Sequence, residues 1–92
     1  MIKAWHERGW EEYLFWQQQD KKTLKKINTL VKDIQRNGYK CTGKPEPLKH
    51  QLSGWWSARI DEKNRLIFRL SDTNGKKIIE ILACKGHYDE HS

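Results

Sequence analysis

The clearest periodicity in the chain lies between residues 20 and 38. Leu24, Ile27, Val31 and Ile34, with Leu30 beside them, recur at intervals of three and four, which places one apolar face on an α-helix. Asp20 stands where an N-cap belongs, and Asn37-Gly38 supplies the stop. Lys21, Lys22, Lys25, Lys26, Lys32 and Arg36 fall on the outer face. Upstream, residues 7–19 carry Trp10, Tyr13, Leu14 and Gln17 at helical spacing and predict a first helix, with Trp5, Trp10 and Trp16 taken up in packing. Residues 1–5 fit a short strand, at the edge of a sheet or inside it.

The helical period ends in residues 39–52. Gly43, Pro45 and Pro47 break it, and Gly-Lys-Pro-Glu-Pro-Leu-Lys-His cannot propagate a helix or a central strand, so a stiff polar loop is expected. After Gly54 the period becomes two. Trp56, Ala58 and Ile60 alternate with polar residues, as do Leu66, Phe68 and Leu70 with Arg65, Ile67 and Arg69, which predicts a hairpin. Residues 72–77, around Asn74-Gly75, predict another turn, and a β-branched run follows over 77–85. The order of elements gives an α+β fold: two amino-terminal helices packed on one face of a mainly antiparallel, twisted sheet.

Register sharpens this picture. Both hairpin strands must turn their apolar residues to one face, so Trp56, Ala58 and Ile60 share it with Leu66, Phe68 and Leu70. Arg59, Arg65 and Arg69 then fall together on the face away from the helices. Three guanidinium groups there would repel one another without a bridging anion, which points to a phosphate site.

Charge supports an anionic partner. The 92 residues carry a net +6, but residues 1–20 are net acidic, and nine bases over residues 21–50 face only Asp33 and Glu46. A one-sided basic surface reads as a footprint for nucleic acid, with a solvated helix face as the plainer alternative. Length allows one domain, 1–92, with residues 89–92 as a frayed end. Hydrophobic residues make up 36% of the chain, so the core is thin, though five Trp, two Phe and three Tyr partly offset that. Cys41 and Cys84 lie far apart without CxxC spacing, which argues against a disulfide framework. No apolar stretch is long enough for a signal peptide or a membrane span, so a cytoplasmic protein without membrane contact is expected.

Glu46, Lys49 and His50 stand within five residues, and His87-Tyr88 follows the last strand. A carboxylate and an imidazole beside a basic cleft suffice for RNA cleavage without a metal or other cofactor. One removes the 2′-OH proton, cations stabilise the charged transition state, and the other protonates the departing 5′ oxygen. Each residue alone also reads as solvated surface; the combination is more specific. Cys84-x2-His87-x3-His91 resembles metal spacing but lacks a fourth ligand, so no metal site is expected. No GxGxxG, P-loop or GxSxG motif occurs. Trp55-Trp56 reads as half core and half surface rather than as a base-stacking platform.

The run Gly43-Lys44-Pro45-Glu46-Pro47-Leu48-Lys49-His50, then Leu52-Ser53-Gly54-Trp55-Trp56-Ser57, Arg59-Ile60, Asn64-Arg65-Leu66, Ala83-Cys84 and His87-Tyr88 closely resembles the YoeB/Txe toxins of the RelE-like superfamily. Trp10-Glu11-Glu12-Tyr13-Leu14, Trp16 and Lys25-Lys26-Ile27-Asn28 extend the likeness over essentially the whole chain. The resemblance implies a microbial-ribonuclease-like fold and a toxin that cuts mRNA in the ribosomal A site, thereby inhibiting translation. By position it makes Glu46 the general base, His87 the general acid and Arg65 the phosphate holder. Lys49, His50 and Arg59 would support substrate binding, and Tyr88 would stack on or position the mRNA. The lysines at 21, 22, 25, 26 and 32 would meet ribosomal RNA. It also implies a cognate YefM/Axe-like antitoxin, operator DNA bound only through that antitoxin, and a homodimer. The rival reading from another class is a non-catalytic RNA- or ribosome-binding module. Two departures stand out: four residues follow the His-Tyr pair, and the 72–77 turn looks long.

Overall fold

Asp20 starts the second helix in the way its position suggests. Its carboxylate accepts hydrogen bonds from the backbone N–H groups of Lys22 and Thr23 at 3.1 and 3.2 Å and from the Thr23 hydroxyl at 2.8 Å. Those bonds, the Thr23 hydroxyl first, hold its carboxyl below the ordinary range. Helix α1 (Glu7–Gln19) ends one residue before it and α2 (Lys21–Asn37) begins one residue after it, so both helix boundaries agree with the sequence pattern. The computed structural model of the chain describes residues 1–87; Tyr88 and the expected frayed end at residues 89–92 lie outside the described residues.

Five strands, β1 (Ile2–Trp5), β2 (Glu46–Pro47), β3 (Trp56–Arg59), β4 (Arg65–Thr73) and β5 (Lys76–Ala83), form one sheet in the order β1-β5-β4-β3-β2. Every pairing is antiparallel except β1 with β5, which is parallel. The first strand is therefore an edge. The hairpin register is the one that parity requires, with Trp56 opposite Phe68 and Ala58 opposite Leu66.

Three local expectations change. Glu46 and Pro47 are not free loop but a short edge strand opposite Ser57 and Trp56, a place where a proline without an N–H is tolerated. The turn expected over 72–77 is tighter: β4 runs to Thr73 and β5 starts at Lys76. Only Asn74 and Gly75 connect them, both at positive φ (53° and 77°), as a type I′ hairpin needs. The third concerns α1. Trp10 and Leu14, read as part of its apolar stripe, are about two-fifths exposed, and Gln17 is exposed. The buried residues are Gly9 and Trp16. The helix is turned this way because Gly9 lies directly on β5: a Cβ there would stand 2.7 Å from the Ile81 carbonyl oxygen. Trp16 then donates its indole N–H to the Cys84 carbonyl at 2.9 Å, and Glu12 accepts the Cys84 N–H at 2.7 Å.

The main core lies between the helices and the sheet. Ile27, Leu30, Val31 and Ile34 of α2 pack on Ala58, Leu66, Phe68, Ile79 and Ile81. Each large aliphatic side chain contributes about 1.5–3 kcal/mol when fully buried. A second, smaller core of Leu48, Trp55, Ile67 and Ala83 sits on the other face. Ala83 reaches that face because the β4–β5 pairing shifts register at Ile67/Phe68. The bulge interrupts the alternation by which Ile81 and Ala83 would share a side.

Candidate active site

The helix-free face is built by β2, β3 and β4. Glu46 stands opposite Ser57, Ser57 opposite Ile67, and Arg59 opposite Arg65. Directly paired residues share a face, as do residues two apart on a strand, so Glu46, Ser57, Arg59 and Arg65 line one surface. Leu48, Trp55, Ile67 and Ala83 give that surface an apolar floor. Glu46 and Arg59 are exposed, and Arg65 is half-buried.

Arg65 is held at its guanidinium end. One guanidinium nitrogen donates to the carbonyl oxygens of Asp61 (2.8 Å), Asn64 (3.1 Å) and Glu62 (3.2 Å). The turn that supplies these carbonyls is itself tied by Asp61, which accepts the N–H groups of Lys63 and Asn64 and the Asn64 side chain. Burial pulls the Asp61 carboxyl upward, but the Asn64 and Lys63 hydrogen bonds and the charge of Lys26 outweigh it and hold the group ionised to lower pH. From the same turn, the Asn64 side-chain oxygen accepts the Gly86 N–H at 2.9 Å, while the Gly86 carbonyl accepts the Arg65 N–H at 2.9 Å. His87, exposed, follows directly. Its neighbour is thus fixed beside Arg65 by two hydrogen bonds.

The expected cluster of three arginines is reduced to two. Arg69 makes a two-pronged ion pair with Glu80, Nε to Oε2 at 2.8 Å and an Nη to Oε1 at 3.1 Å, and its guanidinium lies 4.2 Å from the Trp55 ring centre. Glu80 also meets His6 Nε2 at 3.2 Å. The Arg69 hydrogen bonds hold the Glu80 carboxyl below its ordinary range against the upward pull of burial, with His6 adding to the effect. Arg69 therefore needs no outside anion. Among the described residues, Arg59 and Arg65 have no such carboxylate partner. Like charges directly opposite on adjacent strands are unfavourable, so this pair keeps its demand for an anion.

Lys49 and His50 are exposed and follow Leu48, whose N–H donates to the Trp55 carbonyl at 2.8 Å. His50 opens a 3₁₀ turn, residues His50–Leu52, at φ 55°, and Lys44 sits at φ 49°. Left-handed backbone at non-glycine residues costs about 1–2 kcal/mol each, so the segment carrying Glu46 is flanked by strain. Tyr88 lies outside the described residues. Trp55 is buried in the second core, whereas Trp56 packs on Tyr39 with ring centres 4.3 Å apart. Cys84 is a packing residue: its thiol lies 3.6 Å from the Gly9 carbonyl, and burial, then the Glu12 charge, pushes it up to about 12. The lysines at 21, 22, 25, 26 and 32 are exposed on α2, on the helix side of the sheet.

Two residues that the sequence reading passed over belong to this surface. Ser57 lies between Glu46 and Ile67, and Asn64 fixes Gly86. The Asp61-x-x-Asn64 spacing of a capped turn was the available signal for Asn64.

The profile of the family described as YoeB-like toxin of bacterial type II toxin-antitoxin system matches residues 5–88. Toxin YoeB of Escherichia coli K12 is 49% identical over 88 residues, covering 96% of this chain and all of that protein. A solved YoeB/ParE toxin from Agrobacterium tumefaciens superposes with a TM-score of 0.89 at 36% identity, covering 96% of this chain and all of that one. The Staphylococcus aureus YoeB, solved as a dimer and in complex with YefM, gives TM-scores of 0.85 and 0.84 at 42% and 40% identity over 96% of this chain and 98% of that chain. The chain belongs to the YoeB-like toxins of type II toxin-antitoxin systems.

Proposed function

We propose that the protein is a ribosome-dependent endoribonuclease that cuts mRNA in the A site and so inhibits translation. The observation that carries this reading is the uncompensated Arg59–Arg65 pair on the face shared with Glu46, with Gly86 tying the approach to His87 beside it. Glu46 takes the 2′-OH proton, and O2′ attacks the adjacent phosphorus. Negative charge grows on the phosphoryl oxygens, where Arg65, Arg59 and Lys49 stabilise it. The bond to the 5′ oxygen breaks and His87 supplies its proton. The products are a 2′,3′-cyclic phosphate and a free 5′-OH, and the sequence of steps needs no metal or cofactor. His50 and Tyr88 position the mRNA, and the α2 lysines contribute the electrostatic attraction to the ribosome.

The relative solved with YefM supports a cognate antitoxin of that type, and the relative solved as a dimer supports a homodimer. Operator DNA would be reached only through the antitoxin. Among the described residues no helix is long and apolar enough to cross a membrane, and we place the activity in the cytoplasm with its ribosomal substrate. The decisive experiment is Glu46→Gln in a reconstituted translation reaction. General-base loss removes roughly 10²–10⁴ in rate, so cleavage ends should vanish while ribosome association persists. Undiminished cleavage would remove Glu46 from the mechanism, and inhibition of translation without new mRNA ends would leave a sequestering module.

A further inference from the structure

Pro45 and Pro47 flank Glu46, and neither has the N–H that a strand uses to hold its register. Strand β2 is only Glu46–Pro47, so the bonds just outside it matter. Upstream, the Arg59 N–H donates to the Gly43 carbonyl at 2.7 Å, and a Cβ on Gly43 would stand 2.9 Å from the Arg59 carbonyl oxygen. Downstream, the Leu48 N–H donates to the Trp55 carbonyl at 2.8 Å. That second fastening is as firm as Trp55 itself.

Trp55 is gripped by a closed circuit of side chains. The Arg69 guanidinium lies 4.2 Å from its ring centre, and the His6 ring meets it edge-on with ring centres 5.2 Å apart. Glu80 joins these two, accepting from Arg69 at 2.8 and 3.1 Å and meeting His6 Nε2 at 3.2 Å. Strand β4, strand β5 and the N-cap of α1 therefore meet at one indole. The Arg69 and His6 side chains are 41% and 39% exposed, so solvent screens their charges and the circuit adds little to global stability. Its local effect is larger, because a planar guanidinium stacked on a ring fixes the plane of that ring.

We propose that Trp55, held by Arg69, Glu80 and His6, is the positioning residue for Glu46. The circuit fixes the indole, the Trp55 carbonyl fixes Leu48, and Leu48 fixes the carboxylate two residues upstream. The assignment rests on the proposed function where it names Glu46 as the general base. Trp55 itself touches no substrate. A base must stand within hydrogen-bond reach of the proton it takes, and a misplacement of about 1 Å can cost on the order of 10²-fold in rate.

The test uses Arg69→Met, which keeps an apolar chain over the indole and removes the charge and the planar fork. Hydrogen exchange of the Leu48 amide, resolved by NMR on the full chain, reads the fastening directly. Relative to the Ile34 amide in the core helix, Leu48 exchange should quicken about tenfold in Arg69→Met and in Glu80→Gln, whereas a merely destabilising change quickens both amides alike. In single-turnover cleavage on ribosomes, Arg69→Met should lower the saturating rate about tenfold and move the half-saturating concentration by no more than about threefold. Arg69→Lys returns a cation to the ring and to Glu80, and should recover part of both losses. Thr23→Ala removes the hydroxyl bond to Asp20 at the start of α2 and should change neither readout at temperatures where it is folded. Leu48 exchange that rises no more than that of Ile34 would overturn the proposal, as would faster Leu48 exchange with an unchanged saturating rate. Failure of the underlying reading looks different: unchanged cleavage in Glu46→Gln would remove the general base itself and leave the Leu48 fastening as measured.

Discussion

The side-chain oxygen of Asn64 accepts the backbone N–H of Gly86 at 2.9 Å, joining the β3–β4 turn to the residue before His87. The same turn grips the Arg65 guanidinium through three carbonyls. Asn64 thus couples the positions of the proposed acid and the proposed phosphate holder without touching substrate. Asn64→Ala should lower kcat by roughly tenfold or more with KM nearly unchanged, since misplacing a catalytic group affects the transition state more than ground-state binding. Asn64→Asp keeps the acceptor oxygen for Gly86 but loses the amide donor and sets a carboxylate against Asp61, so it should recover only part of the loss. Equal activity of the alanine variant and the parent would show that His87 is placed by other contacts.

Arg65 and the α2 lysines should separate kinetically. The proposed Arg65 contact strengthens as charge grows on phosphorus, so Arg65→Ala should depress kcat more than affinity. Lys25→Ala combined with Lys26→Ala should instead weaken RNA and ribosome binding and flatten its salt dependence. Single-turnover cleavage against RNA concentration distinguishes them. Two variants that lose only binding, with unchanged turnover, would favour a module that sequesters RNA.

Acid stability should follow the paired carboxylates. Glu80, Asp61, Asp33 and Asp20 all have folded-state values below their ordinary ones. The unfolded chain therefore binds more protons in the window from about pH 4.5 downward, and stability must fall as pH falls through it. The contribution is fully present above the unfolded values and is lost as pH drops through the folded ones. Urea unfolding between pH 3 and 7 should show this slope. Glu80→Gln, which removes the charge opposite Arg69 and beside His6, should be less stable at neutral pH and show a shallower acid limb. An acid limb as steep as the parent's would mean that the Arg69–Glu80 pair contributes nothing.

Much of the architecture was legible because it is local. Asp20 and Gly38 set the ends of α2 by capping chemistry, and the alternation around Ala58 and Phe68 fixed which face Arg59 and Arg65 share. Arg69 escaped that logic because its partner, Glu80, lies across the β4–β5 pairing, whose register is set by the two-residue Asn74-Gly75 turn where a longer turn was expected. The edge strand at Glu46 was hidden by prolines that forbid a central strand but not an edge. The role of Asn64 depends on a contact with a residue 22 positions away, which no spacing reveals. The phase of α1 was misread for a similar reason: apolar residues at helical spacing suggested Trp10 and Leu14, while a backbone contact at Gly9 decided the matter.

Gly9 gives a prediction in which two effects oppose each other. Replacing a helical glycine with alanine usually stabilises by up to about 1 kcal/mol through helix propensity, less in the first turn, where Gly9 stands. Here the added Cβ would meet the Ile81 carbonyl oxygen at 2.7 Å and the Leu82 carbonyl at 3.1 Å to oxygen and 3.2 Å to carbon. All three are backbone atoms of β5, which cannot rotate away. Overpacking of this kind costs about 1–3 kcal/mol, enough to reverse the propensity gain. Gly9→Ala should therefore destabilise the protein, whereas Gln17→Ala, on the exposed side of the same helix, should be neutral or slightly stabilising. Relief of the clash would lift α1 from β5 and disturb the Trp16 and Glu12 hydrogen bonds to Cys84, three residues before His87. Activity should accordingly fall in Gly9→Ala even at temperatures where the variant is fully folded. Denaturant titration of the two variants, paired with cleavage rates, checks both parts. A Gly9→Ala protein more stable than the parent would show that α1 does not rest on the strand as closely as the Ile81 distance indicates.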